Sequence, residues 1–256
     1  MLGAIAGDII GSVYEARPIK TTNFPLFSRG ATFTDDTVMT VAAAYAILRS
    51  VDYATAFKTF GRKYPDAGYG GFFYNWLFSS ESKPYNSWGN GSAMRVSPIG
   101  FAFDTVGEVL RQAEKSAAVT HNHPEGIKGA QATALAIWLA RQREDKATIR
   151  RQVGERFGYD VDRTVAEIRP QYRFDVSCQG SVPESIVAFL DSEDFEDAIR
   201  LAISLGGDSD TMACIAGGIA QAYYGEIPLV IAEGVRQRLP EEFLQIVDEF
   251  SATYGL

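Results

Sequence analysis

Cysteine and histidine are scarce: the 256 residues hold two of each, Cys178 and Cys214, His121 and His123. The two thiols form neither a disulfide framework nor a metal-type spacing, and both are expected to be small buried core residues. One HxH pair without a third nitrogen or sulfur ligand does not complete a zinc site. No apolar run reaches the length of a membrane span, and Met1-Leu2-Gly3-Ala4 lacks a basic region leading into a signal-type segment. A soluble, cytoplasmic chain without a membrane partner is therefore expected. Clustered positive charge is missing as well. The formal net charge is −8 with Lys and Arg scattered, which argues against nucleic acid as the main partner. There is no linker-like shift in composition, so residues 1–256 read as a single domain, taken to be a monomer. Repeats of roughly 33 to 47 residues are absent, which excludes a helical solenoid. Apolar–polar alternation is scarce, which excludes an extensive sheet.

What the chain does have is helical pattern. Segments 3–14, 34–49, 52–64, 92–102, 105–118, 124–142, 145–157, 181–190, 194–205, 209–224, 228–238 and 240–253 place apolar residues at three- and four-residue spacing. They predict an all-α, multi-helix fold. Segments 34–49 and 209–224 are apolar nearly all round and belong at the centre. Gly3, Gly7 and Gly11 share one face of the first segment, where missing side chains let a neighbouring helix come close. Asp8 sits in this apolar company and needs a hydrogen-bond donor or a cation. Stretches 16–33, 65–91 and 158–180 read as long irregular connections, a length that in a compact domain is functional or disordered.

Two acidic clusters of one design open the central segments: Thr34-Asp35-Asp36-Thr37 and Gly207-Asp208-Ser209-Asp210-Thr211. Either one alone is explained by helix capping, because Ser, Thr and Asp satisfy free backbone N–H groups and suit the positive end of the helix dipole. The duplication suggests more. Were Asp35, Asp36, Asp208 and Asp210 to meet, they would repel one another and take up protons unless cations compensated them. Two divalent ions would balance the charge. Hydroxyl and carboxylate oxygens are hard ligands, so Mg²⁺ or Mn²⁺ is favoured over zinc, in a site for two-metal chemistry on an oxygen-rich substrate.

Two further loops place glycines around one aromatic: Asp66-Ala67-Gly68-Tyr69-Gly70-Gly71-Phe72 and Asn86-Ser87-Trp88-Gly89-Asn90-Gly91-Ser92. Glycine is a usual turn residue, but it also lets backbone N–H groups point together at an anion, and an aromatic offers a face for a base. His121 and His123 stand at the entrance of segment 124–142, where Pro124 suits the first turn. His121 is read as a hydrogen-bonding partner of a ligand, His123 as structural or functional. Glu15 closes the first helix at the rim of the expected pocket, as either a solvated or a catalytic carboxylate.

Taken in order, Gly3…Gly7-Asp8…Gly11…Glu15, Thr34-Asp35-Asp36-Thr37, Gly89-Asn90-Gly91-Ser92-Ala93-Met94-Arg95, Thr120-His121…Pro124 and Gly207-Asp208-Ser209-Asp210-Thr211 resemble the ADP-ribosylglycohydrolase family, which includes the dinitrogenase-reductase-activating glycohydrolase and crystallin J1-like proteins. The resemblance implies a compact all-α fold with two Mg²⁺ or Mn²⁺ ions that removes ADP-ribose from an ADP-ribosylated protein or a small-molecule ADP-ribose conjugate. It implies Thr34, Asp35 and Asp36 as ligands of one metal, Asp208 and Thr211 as ligands of the other, and Asp210 as a bridge. By the same resemblance Ser87, Trp88, Gly89, Asn90, Gly91 and His121 hold ADP-ribose, Gly68 and Gly70 lie near its phosphates, and Trp88 stacks on adenine. The implied reaction has a water, made acidic by the cations, attack the anomeric carbon, with proton transfer open among Glu15, Asp36 and Asp208.

Two other readings are weighed against it. Asp208-Ser209-Asp210-Thr211 alone would suit a phosphatase of the haloacid dehalogenase type, but that class needs an early parallel strand, and the residues after Thr211 are helical in pattern. A member of the family could also bind ADP-ribose without turnover, or be a crystallin-like structural protein. The presence of all six expected ligands argues against a decayed site.

Overall fold

A helix with glycine at every fourth position can approach another helix down to backbone contact, and the first helix of this protein does so. In the computed structural model, which describes residues 1–255, α1 (Leu2–Glu15) lies antiparallel against the helix that begins at Ser209. A Cβ at Gly3 would stand 2.4 Å from the carbonyl oxygen of Gly217, one at Gly7 2.0 Å from that of Ala213, and one at Gly11 2.6 Å from Asp210 Cα. The last turn of α1 is thereby held over the Asp208–Thr211 cluster.

In chain order the remaining helices are α2 (Asp35–Arg49), α3 (Tyr53–Lys63), α4 (Gly71–Phe78), α5 (Gly91–Met94), α6 (Ser97–Ala102), α7 (Val106–Ala118), α8 (Pro124–Arg141), α9 (Lys146–Phe157), α10 (Val165–Ile168), α11 (Cys178–Asp191), α12 (Phe195–Ser204), α13 (Ser209–Tyr224), α14 (Leu229–Arg236) and α15 (Glu241–Tyr254). The described residues contain no strand, only an isolated bridge between Gly89 and Ser177. The all-α expectation holds. α13 is buried from Ser209 to Ala220 and α2 from Asp36 to Ala44, which makes these two, with α1, the centre of one apolar core. Cys178 and Cys214 are free and buried in it. No helix among the described residues is long and apolar enough to cross a membrane.

Local chemistry sets the helix ends. Thr34 caps α2, its hydroxyl accepting from the Asp36 amide at 3.3 Å, and Ser50 closes it in the left-handed region at φ 53°. Glycine at φ 79° does the same for α13 at Gly225. The segment expected as one helix over 92–102 is broken at Arg95–Val96, because Pro98 has no N–H for the carbonyl of Met94. That carbonyl accepts instead from Thr40 Oγ1 at 3.3 Å and Cys214 Sγ at 3.4 Å.

The stretches expected to be irregular differ from the sequence reading in two places. Stretch 65–91 contains α4, which begins at the glycines that read as loop and buries Phe73, Trp76 and Leu77 while leaving Phe72 exposed. Stretch 158–180 contains the single turn α10, closed by a capping box between Thr164 and Glu167. It also contains the first turn of α11, capped by Ser177, whose hydroxyl accepts from the Gly180 amide.

The α1–α13 contact leaves no room for a methyl group, so Gly7→Ala is expected to lower stability by roughly 3 kcal/mol or more, the upper end for overpacking. Gly107→Ala in α7, where a Cβ would meet nothing within 4 Å, is expected to be neutral or to stabilise by about 0.5–1 kcal/mol. Urea or thermal denaturation of the two variants checks both; equal effects would contradict the contact.

Candidate metal centre and ligand cavity

Asp8 finds donors at the start of α2. Its Oδ2 accepts from the amides of Thr34 and Thr37, each at 3.0 Å, and from the Thr37 hydroxyl. Its Oδ1 accepts from Thr34 Oγ1 at 2.7 Å. A fully buried carboxylate on α1 thus satisfies free N–H groups of another helix. Thr34 uses its proton on Asp8, which leaves an oxygen lone pair on the other side of the hydroxyl.

The start of α13 meets the start of α2 across this point. Thr211 Oγ1 donates to Asp36 Oδ2 at 3.2 Å, and Asn90 Nδ2 donates to Asp208 Oδ2 at 2.7 Å and to Ser181 Oγ at 3.2 Å. Two triplets of carboxylates each bring their oxygens within 4.8 Å: Asp8, Asp36 and Asp210, and Glu15, Asp208 and Asp210. Asp210 belongs to both. Asp36 Oδ1 is buried without a hydrogen-bond partner among the described residues.

None of these carboxylates forms an ion pair with Lys or Arg among the described residues, and their protons are held accordingly. Burial, then repulsion from Asp8, Asp35 and Asp208, pushes Asp36 well above the usual carboxylate range. Burial, then Asp36, Asp208 and Asp8, does the same to Asp210. Asp208 is raised by burial despite its bond from Asn90, and Asp8 by burial despite its four donors. Glu15 is raised by burial and then by Asp208 and Asp8. Asp35, on the cavity wall, is raised to about 8 by burial and then by Asp8 and Asp208. A buried orphan oxygen, carboxylates that repel one another and an all-oxygen donor set are together what divalent hard cations fit.

The centre forms the floor of a cavity of about 370 Å³, within the usual range for small-molecule sites. Of the residues expected at the site, Glu15, Thr34, Asp35, Asp36, Gly68, Gly70, Ser87, Gly89, Asn90, Gly91, His121, Asp208, Asp210 and Thr211 all line it. Asp35 stands outside both triplets, whereas Asp8, read from sequence only as a carboxylate in need of a partner, stands inside one. Trp88 is not on the cavity wall. It is half-exposed, with its ring centre 5.5 Å from that of His123 in an edge-on arrangement, because the backbone on either side is tied to the start of α11: Asn90 N–H to Val176 O, Cys178 N–H to Trp88 O. The aromatic rings lining the cavity are those of Phe72, Phe73 and Tyr85, and the rings of Phe72 and Tyr85 stack at 6.0 Å and 22°. The sequence places Phe72 at the end of a glycine-rich loop, whereas the structure puts it in the first turn of α4; Tyr85 carries no sequence signal.

The loops differ in what they leave free. Gly68 needs its glycine, at φ 101°, to turn the chain toward Asp35. In the second loop the amides of Gly89 and Asn90 are taken by Ser87 Oγ and Val176 O, so they do not point at an anion as the sequence suggested. His123 is structural: its Nδ1 accepts from the Glu125 amide at 3.1 Å and caps α8.

Comparison with known proteins agrees with the geometry. The family model described as ADP-ribosylglycohydrolase matches residues 1–255. The "ADP-ribosylhydrolase ARH3" of Homo sapiens is 30% identical over 305 residues, covering 88% of this chain and 84% of that protein. The protein of the same name from Xenopus tropicalis is 27% identical, covering 92% and 90%. The "ADP-ribosylarginine hydrolase Tri1" of Pseudomonas putida is 27% identical, covering 88% and 69%. A solved structure titled "ADP-ribosylglycohydrolase-related protein complex" superposes with a TM-score of 0.70 over 93% of this chain and 96% of its own, at 23% identity, and so shares the fold. With a match from Met1 to Gly255 and this centre at its core, the chain belongs to the ADP-ribosylglycohydrolase family.

Proposed function

We propose that the protein is a metal-dependent hydrolase that cleaves the glycosidic bond between ADP-ribose and an acceptor, either a protein side chain such as arginine or serine, or a small molecule. The observation that carries this reading is the pair of carboxylate triplets sharing Asp210 on the floor of a ligand-sized cavity. Family membership supports it, as do relatives named for hydrolysis of ADP-ribosylated substrates. Asp8, Asp36 and Asp210 with Thr34, and Asp208 and Asp210 with Thr211, would hold two Mg²⁺ or Mn²⁺ ions, with Asp35 adding charge from the wall. Bound there, the ions would polarise neighbouring ribose hydroxyls and acidify water.

The chain's own groups divide the rest of the work. Asn90 holds the Asp208 carboxylate in one orientation, and Thr211 does so for Asp36. Glu15, like Asp35, has a carboxylate without a side-chain hydrogen bond to another residue among the described residues, and of the two it is the one in a carboxylate triplet, exposed at the end of α1 and held above its usual range. It is placed to take the proton of the water that attacks the anomeric carbon as the glycosidic bond loosens. Ser87 and His121 would bind the ADP-ribose moiety, with Phe72 and Tyr85 as the stacking faces in place of Trp88.

Release of ADP-ribose from serine- and arginine-linked substrates, measured with Mg²⁺ or Mn²⁺ and after chelation, tests the reading. Asp208→Asn and Asp210→Asn should each weaken metal binding in calorimetry and lower turnover. At saturating Mg²⁺, Glu15→Gln should lose on the order of 10²-fold or more in kcat, the usual scale for a positioned acid–base group. Full activity in both Asn variants would remove the assignment, and ADP-ribose binding without release from any substrate would make the protein a binder.

The raised carboxyls also predict a pH-dependent stability. Each binds its proton more tightly when folded than when unfolded. In chelated protein this contribution is complete below the unfolded value of about 4 and is lost as pH rises through the folded value, about 8 for Asp35. The Tm of chelated protein should therefore fall between pH 5 and pH 8, and Mg²⁺ should raise it more at pH 8 than at pH 5. A flat Tm in that window, with no effect of Mg²⁺, would contradict the mutual repulsion.

A further inference from the structure

Arg95 is fully buried, forms no ion pair among the described residues, and holds its guanidinium carbon 4.4 Å from the centre of the Phe57 ring. A buried cation with no carboxylate partner requires another explanation. Part of it lies at the end of α7, where Nη2 donates to Ser116 O at 2.7 Å and Ala117 O at 3.5 Å. The same nitrogen also donates to Thr120 Oγ1 at 3.0 Å, and that oxygen lies 2.7 Å from His121 Nδ1.

The direction of this chain follows from the inventory of protons. Arginine has only donors, so Thr120 Oγ1 accepts from it. The hydroxyl carries one proton, and among the described residues its sole other partner is His121 Nδ1. Were Nδ1 protonated, the Thr120 hydroxyl proton would be left without an acceptor in a fully buried position. Nδ1 is therefore the acceptor and the ring proton sits on Nε2. The doubly protonated ring is disfavoured, since burial and then the Arg95 charge hold His121 well below its ordinary value. Nε2 is the nitrogen nearest the cavity loop: a Cβ at Gly91 would stand 3.2 Å from it and one at Gly89 3.5 Å.

We propose that Arg95 is a positioning residue which, through the Thr120 hydroxyl, fixes the proton of His121 on Nε2, so that the imidazole presents a neutral N–H donor to an acceptor oxygen of the ligand in the cavity. The presence of a ligand there rests on the function proposed above; the tautomer does not. Capping α7 alone would need only the two backbone carbonyls. The bond to Thr120 adds control of the histidine that shares the cavity wall with Arg95.

Two-bond ¹H–¹⁵N correlation spectra of the ligand-free, full-length protein test this directly. With two histidines in the chain, His123→Asn assigns the signals. The native protein is expected to show a protonated Nε2 and an unprotonated Nδ1 at His121, and Thr120→Ser the same. Thr120→Val, which leaves Arg95 its backbone partners, should shift the population toward protonated Nδ1 and weaken ADP-ribose binding at constant Mg²⁺ by roughly 3- to 10-fold, the scale of one neutral hydrogen bond. A protonated Nδ1 in the native protein overturns the proposal even if the valine variant fails to fold. So does a Thr120→Val protein with native tautomer and affinity. A native Nε2–H signal in a protein that binds no ADP-ribose would uphold the relay and remove the proposed function instead.

Discussion

The Asp8 carboxylate accepts hydrogen bonds from Thr34 and Thr37 at the start of α2, while Gly7 and Gly11 on either side let its own helix run against the backbone of α13. Three central helices are thus registered against one another by a buried charge and a strip of missing side chains. Neither feature suffices alone. Without the glycines α1 could not bring Glu15 over Asp208 and Asp210, and without Asp8 the first amides of α2 would lose their partner inside the core. The carboxylate cluster of the candidate metal centre is the place where these two constraints converge.

That convergence concentrates negative charge where no lysine or arginine answers it. Packing holds carboxylates together despite their repulsion, and burial with that repulsion raises their pKa values well above the usual carboxylate range. Asn90 and Thr211 use their donors to orient Asp208 and Asp36 instead of neutralising them. On the cavity wall, hydrogen bonds run from the Arg95 cation through Thr120 to a neutral His121, and the one fully buried arginine charge rests against the aromatic face of Phe57 and the end of α7. The cavity therefore has an acidic floor and a wall that combines Asp35, Arg95, the His121 imidazole and aromatic faces.

Much of this was legible before folding was considered. The twelve helical segments, the central place of α2 and α13, the close-packing glycines of α1 and the pairing of two acidic clusters all follow from periodicity and residue type. What escaped was of three kinds. α4 begins at glycines that read as turn, so Phe72 was lost with it. Apolar spacing runs unbroken through 92–102 and hides the interruption before Pro98 that separates α5 from α6. Motif position puts Trp88 on the wall, whereas backbone bonds to Val176 and Cys178 hold that loop so that its side chain faces His123.

The sequence by itself determined most of the helices, though not α4, α10 or the break between α5 and α6, because spacing, caps and breakers act within a few residues of one another. It also determined that hard oxygen ligands would dominate, because cysteine and histidine are so few. Only the tertiary structure decided which oxygens meet. Asp8 joins a triplet while Asp35 stands on the wall, and Asp210 belongs to both triplets, because carboxylate separation depends on how closely α1 and α13 approach. That approach is a through-space distance between residues some two hundred positions apart, and no local pattern encodes it.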